Sequence, residues 1–134
     1  MSINMVQEEH YLEQINFLNM ASKEIVDRWG GSELRDFYQK SLLPYFKKGG
    51  ALDKLNIPAK IKDGDKIDLK GIVLNHSKIY NCTFDKVDFS ISIFQSSWIE
   101  NCVFKNCVFL NVDFSGISDH NNTFDHCTFT NCKF

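Results

Sequence analysis

One position in every five is apolar from Leu69 to Phe134, and nine phenylalanines share it. Chance would place nine residues on one phase of five roughly once in 400,000 cases, which marks an internal repeat. The nine are Phe84, Phe89, Phe94, Phe104, Phe109, Phe114, Phe124, Phe129 and Phe134. Leu69, Leu74, Ile79 and Ile99 share the position, and Asp119 interrupts it. A period of five matches neither a continuous strand nor a continuous helix, so the chain must turn a corner in each repeat.

A second position, two residues before the first, carries small side chains. All five cysteines fall there: Cys82, Cys102, Cys107, Cys127 and Cys132. Residues two apart share a face of a strand, so the small residue and the phenylalanine should point inward together. The last four cysteines can also be written as two C-x4-C pairs, a spacing that invites a zinc site. Because serine and valine use the same position, we interpret it as buried packing and expect free thiols without metal.

The three remaining positions of each repeat are mostly polar and should face outward. One of them is asparagine in six repeats: Asn81, Asn101, Asn106, Asn111, Asn121 and Asn131. Asparagine tolerates the backbone geometry of turns. This position is therefore predicted to be the corner.

Residues 67–134 resemble the pentapeptide-repeat family, whose pattern is loosely A-(D/N)-L-x-x. Val87-Asp88-Phe89-Ser90-Ile91 and Val112-Asp113-Phe114-Ser115-Gly116 carry the likeness clearly. The resemblance implies a mainly β fold, a right-handed quadrilateral parallel β-helix of about 3.5 coils with four repeats to a coil. Residues twenty apart would then stack in columns, with the phenylalanines and cysteines as the core.

Residues 1–50 lie outside the repeat and show the three-to-four spacing of amphipathic helices. A first helix is predicted from about Met5 to Trp29 and a shorter one from Leu34 to Tyr45. Residues 51–66 read as a connector. Because a solenoid needs its open ends covered, we expect the two helices to cap the N-terminal end.

The helix ends carry local signals. Gly30-Gly31 should end the first helix, and Ser32 is a candidate N-cap for the second. Pro44 should kink or end the second helix. Lys47-Lys48-Gly49-Gly50 is a typical C-terminal stop, with cations in the last turn before flexible glycine.

No catalytic constellation is visible in the sequence. Ser118-Asp119-His120 contains the residue types of a hydrolytic triad, but adjacent residues of an extended chain point to opposite faces and cannot converge. There is no glycine-rich phosphate loop, zinc-protease helix or nucleophile elbow. We therefore expect no enzyme, no catalytic or metal-binding residues and no cofactor.

The charge pattern bears on partners and location. The chain has a formal net charge of −2, and both halves are nearly balanced. Neither half is basic enough to suggest direct nucleic-acid binding. No secretory signal and no apolar run of membrane-spanning length is present, so the expectation is a cytoplasmic protein that is not bound to a membrane.

Asp119 is the irregular position of the repeat. One account is a local bulge in which Ile117 takes over the apolar role. The other is a protruding loop, from Ser118 to Asn122, in which Asp119, His120 and Asn121 would touch a partner.

Some outward positions are unexpectedly apolar, notably Val73, Ile93 and Trp98. Exposed apolar patches often mark interfaces, although a helix folding back could also cover these three side chains. Phe134 lies at the C-terminal end of the repeat. An open solenoid end invites pairing, which leads to the hypothesis of a homodimer through this end or of a partner that caps it.

Two functions compete for a scaffold of this kind. The first is a non-catalytic protein-binding scaffold, most simply a bacterial immunity or inhibitor-type protein that neutralises a specific partner such as a toxin domain. The second, implied by the family resemblance, is a DNA-mimicking protector of a type II topoisomerase. Such a mimic needs a continuous acidic stripe, which lysines at several outward positions interrupt.

Overall fold

The computed structural model describes residues 22–134, and the predicted helix start at Met5 lies outside them. Residues 22–27 are helical, and a 3-10 turn follows at Arg28–Gly30. The next helical stretch has three parts: α1 (Ser32–Phe37), a π-helical turn (Tyr38–Leu42) and α2 (Leu43–Lys48). Short 3-10 turns at Leu52–Lys54 and Ala59–Ile61 lie in the predicted connector.

Two local predictions for these helices need correction. Ser32 is the first helical residue, and Gly31 holds the N-cap position without a side-chain bond. Pro44 does not end the helix. The chain instead widens into the π-helical turn just before Pro44, which relieves the clash a proline ring makes with the preceding turn. The helix ends at Lys48, where Gly49 adopts a φ of 85°.

Twelve short strands follow in the described chain, and most are two or three residues long. They are β1 (Gly50–Ala51), β2 (Lys62–Asp63), β3 (Lys66–Asp68), β4 (Lys78–Tyr80), β5 (Cys82–Asp85), β6 (Val87–Asp88), β7 (Trp98–Glu100), β8 (Val103–Lys105), β9 (Val108–Leu110), β10 (Ser118–His120), β11 (Thr123–Asp125) and β12 (Thr128–Thr130).

From β3 onward the strands pair in parallel with partners twenty residues away, and β1 pairs with β5 across 32 residues, Gly50 opposite Cys82. The parallel sheets run β4–β7–β10, β1–β5–β8–β11 and β3–β6–β9–β12, and β2 joins the last sheet as an antiparallel hairpin with β3. A fourth column of parallel bridges joins Val73, Ile93, Asp113 and Lys133. The fold is therefore mainly β, a solenoid of about three turns behind a short N-terminal helical segment.

The corners have left-handed backbone at every fifth residue from Gly71 to Asn131. All six predicted asparagines have φ between 51° and 57°. Asparagine and glycine accept this conformation more readily than other residues. The corner assignment is confirmed.

The inward phenylalanines form three stacks whose ring centroids are 4.6–5.3 Å apart. The stacks are Phe84/Phe104/Phe124, Phe89/Phe109/Phe129 and Phe94/Phe114/Phe134. Seven of the nine phenylalanines are fully buried, Phe124 is half-buried and Phe134 is 52% exposed. Phe124 and the half-buried Cys132 lie in the last coil, where no further described coil covers them.

Cysteine and serine at the small inward position also donate hydrogen bonds to the preceding coil. Cys107 Sγ donates to the Phe84 carbonyl at 3.4 Å, and Cys127 Sγ donates to the Phe104 carbonyl at 3.2 Å. Ser97 Oγ makes the equivalent bond to the Leu74 carbonyl. A small side chain with a hydrogen to donate thus links each coil to the one before it, which accounts for cysteine and serine at one position.

The helical segment covers the N-terminal end of the solenoid. Tyr45 packs edge-on against Phe84, and its hydroxyl lies 2.9 Å from the Gly50 carbonyl and 3.2 Å from the Thr83 carbonyl. Burial raises the pKa of Tyr45, so the hydroxyl keeps the proton that it donates to these carbonyls. Arg28 binds the Asp68 carboxylate at 2.9 Å, which fixes the 3-10 turn to the first coil.

Candidate functional site

One side of the solenoid carries a cluster of outward aromatic side chains. The sheet β4–β7–β10 has Ile79, Ile99 and Asp119 on its inner surface. Its outward side chains are Lys78, Tyr80, Trp98, Glu100, Ser118 and His120, and we call this surface the Trp98 face. Parallel strands of this kind hold neighbouring side chains at fixed spacing, so the face is a flat and ordered surface.

Trp98 and His120 are in direct contact on this face. Their ring centroids lie 4.0 Å apart with the planes inclined by 21°. Trp98 is 39% exposed although the core excludes solvent from residues beside it. Stacking holds the indole in one orientation, which lowers the entropy that it would lose on binding. The structure therefore brings together two of the residues predicted to contact a partner.

Asp119 does not mark a bulge or a protruding loop, so both structural accounts of this position are wrong. It lies within β10 in regular register with Ile99. Its carboxylate accepts a hydrogen bond from Asn122 Nδ2, and Asn122 Nδ2 also donates to the Ile99 carbonyl at 2.7 Å. Asn122 Oδ1 accepts from the Cys102 amide at 2.9 Å. Asp119 and Asn122 thus form a hydrogen-bonded polar pair where the preceding coil has Ile99 and Cys102, and β10 keeps its regular register.

Asn121 belongs to a corner and does not join the Trp98 face. Its φ is 56°, and its Nδ2 donates to Asn101 Oδ1 at 2.6 Å. The corner asparagines of successive coils thereby form a ladder. We assign Asn121 to the architecture of the corner.

Val73 and Ile93 lie in the bridge column that precedes the Trp98 face. Val73 is 38% exposed and Ile93 is half-buried. Within residues 22–134 no helix covers Val73 or Trp98, and most of the predicted first helix lies outside the described residues. Phe134 is 52% exposed, and its ring stacks on Phe114. It therefore belongs to an inward phenylalanine stack and not to the Trp98 face.

Sequence reasoning missed Tyr80 and Glu100 as members of the face. Both are half-buried outward residues in register with one another and with His120. The signal was available, because positions twenty apart form one column. Reading the column Tyr80, Glu100 and His120 beside Trp98 would have predicted the cluster.

Hydrogen bonds between stacked cysteines lower the pKa of the Cys102 and Cys127 thiols and raise that of Cys107. Hydrogen bonding with Cys102, and then burial, raise the pKa of the Cys82 thiol, and burial raises the pKa of Cys132. Within residues 22–134, all five thiols are free and no three potential ligands come together as a metal site. No helix in the described part of the chain is long and apolar enough to cross a bilayer.

No protein-family model, curated protein or solved structure shows significant similarity to the chain.

Proposed function

We propose that this protein is a pentapeptide-repeat scaffold that binds and neutralises one specific protein partner without catalysis. It would act in the bacterial cytoplasm as an immunity or inhibitor-type protein. The observation that carries the proposal is the stacked Trp98 and His120 pair on a flat, exposed sheet. Tryptophan at the centre of a rigid surface is a frequent source of binding energy in protein interfaces.

The assignment to the family draws on the arrangement of the coils. Four columns of parallel pairing recur at a spacing of twenty residues. Left-handed corners recur at every fifth residue. Both features support the right-handed quadrilateral β-helix that the repeat resembles. The five free thiols also fit a reducing compartment.

Outward charges favour protein binding over DNA mimicry. The column Asp85, Lys105 and Asp125 is in register and alternates in sign. Lys70 lies 3.9 Å from both Asp68 and Asp88 and offsets that acidic pair. A mimic of duplex DNA requires an unbroken acidic stripe, because phosphates follow one another along each strand.

Affinity capture from an extract of the source organism tests the proposal, with the full chain as bait. We expect one partner to be enriched by the unmodified protein and lost with Trp98→Ala and His120→Ala combined. Removal of a central tryptophan should weaken binding by about thirtyfold, the effect of an interface hot spot.

Val108→Ala is the matched control. Val108 is 38% exposed, like Trp98, but lies on a different sheet. It should leave capture unchanged. Equal capture by the Trp98/His120 variant, or no partner enriched over an empty bait, would overturn the proposal.

A further inference from the structure

A cleft of about 370 Å³ opens where α2 packs against β4, at the edge of the Trp98 face. Its walls include Tyr38, Leu43, Lys47, His76 and Lys78. Lys78 is the in-register neighbour of Trp98 on the preceding coil. The cleft and the Trp98 face therefore form one continuous surface.

The described walls of the cleft carry two ammonium groups and no carboxylate. Lys47 and Lys78 both line it, and no carboxylate in the described part of the chain is within ion-pair distance of either. Leu43, which is 36% exposed, and the half-buried Tyr38 add an apolar wall. Two cations beside an apolar wall suit a ligand that presents both carboxylates and apolar groups.

The chain from α1 to the 3-10 turns of the connector extends the same charge. Residues 32–62 contain seven basic and three acidic side chains, a net charge of +4 in a chain whose formal net charge is −2. A surface of one sign attracts a partner of the opposite sign and speeds its association. The cap end of the molecule therefore favours an acidic partner.

The chemistry of the cleft favours carboxylates over phosphate. Phosphate sites commonly use free backbone N–H groups or the fork of an arginine. No arginine lines the cleft, and the His76 amide already donates to the Gln95 carbonyl at 3.0 Å. Exposed lysines provide point charges without such a cradle.

We propose that this cleft binds an acidic segment of the protein partner in which carboxylate and apolar side chains alternate. The inference rests on the proposed function in one respect, namely that the occupant is a protein. The segment continues onto the Trp98 face, and Lys47 and Lys78 select it by charge.

Fluorescence anisotropy with a labelled peptide of alternating glutamate and leucine tests this directly. The full chain should bind it more tightly than the same peptide with glutamine in place of glutamate. Lys47→Gln combined with Lys78→Gln should weaken binding by about tenfold, the effect expected for two partly exposed ion pairs. The matched control, Lys66→Gln with Lys105→Gln, removes equal charge outside the cleft and outside residues 32–62, and it should leave binding unchanged.

Several outcomes would overturn the inference. The first is equal affinity for the two peptides, and the second is equal weakening of binding by the control variant. The third is that pyrophosphate or vesicles of anionic lipid bind in the cleft and the peptide does not. If the peptide fails but capture still depends on Trp98, this inference falls and the proposed function stands. If the peptide binds in the cleft and no partner is captured, the proposed function falls instead.

Discussion

Two sides of the solenoid direct their aromatic side chains in opposite ways. On β5, β8 and β11 the phenylalanines point inward, and outward neighbours such as Thr83 and Lys105 are polar or small. On β4, β7 and β10 the inner residues are Ile79, Ile99 and Asp119, while an indole and a phenol point outward. The backbone is the same on both sides. The inward rings stabilise the fold, and the outward ones are available for a role outside it.

The largest effect is expected from an inward ring. Phe104→Ala should lower the free energy of unfolding by about 3–5 kcal/mol, because the ring is fully buried between two stacked neighbours and its removal leaves a cavity. Urea unfolding followed by circular dichroism measures the change. An unfolding midpoint equal to that of the unmodified protein would contradict the inward assignment.

A substitution at a corner should have an intermediate effect on the free energy of unfolding. Asn101→Ala should cost about 1–2 kcal/mol, because alanine is strained at a φ of 55°. Asn101→Gly loses the same side-chain bond to Asn121 without the strain, so it serves as the matched control and should be less destabilising. Equal unfolding midpoints for the two variants would remove corner strain as the cause.

The smallest effect on stability is expected from the outward ring. Trp98→Ala should cost about 0.5–1 kcal/mol, since the indole is 39% exposed and stacks on the exposed His120. The same urea experiment tests it beside Phe104→Ala. A loss as large as that of Phe104→Ala would mean that Trp98 belongs to the core, and the contrast between the two sides would disappear.

The repeat could be predicted from sequence because each of its positions has a local structural requirement that only a few residue types meet. Phe104 must be large and buried, Cys107 small with a hydrogen to donate, and Asn101 compatible with a left-handed corner. These requirements recur every five residues, so the periodicity revealed the stacked columns, the core and the corners together.

The candidate site was harder to predict because its residues come from successive coils. They become neighbours only when the coils stack, and they are not adjacent in the sequence. Trp98 and His120 are far apart along the chain and meet only once coils stack. Asp119 looked like a defect because an isolated carboxylate does not belong in a core. Asn122 supplies its partner from three residues away, and the polar pair is accommodated in the half-open last coil.

The cap was predicted less well than the coils. Its helices follow ordinary amphipathic spacing, but the π-helical turn before Pro44 depends on how the chain relieves a local clash. The cleft beside Lys47 and Lys78 depends on tertiary packing of α2 against β4. Neither feature has a periodic signal in the sequence.

The left-handed corners determine how a chain of this kind can change its length. Inserting one residue would shift every later corner by one position and bring the residue that now precedes each corner, such as the β-branched Thr130, into a left-handed conformation that such side chains resist. Inserting a copy of twenty residues places a residue from an existing corner at each corner and restores every column. Growth by duplication of whole coils is therefore compatible with this architecture, whereas gradual growth by single residues is not.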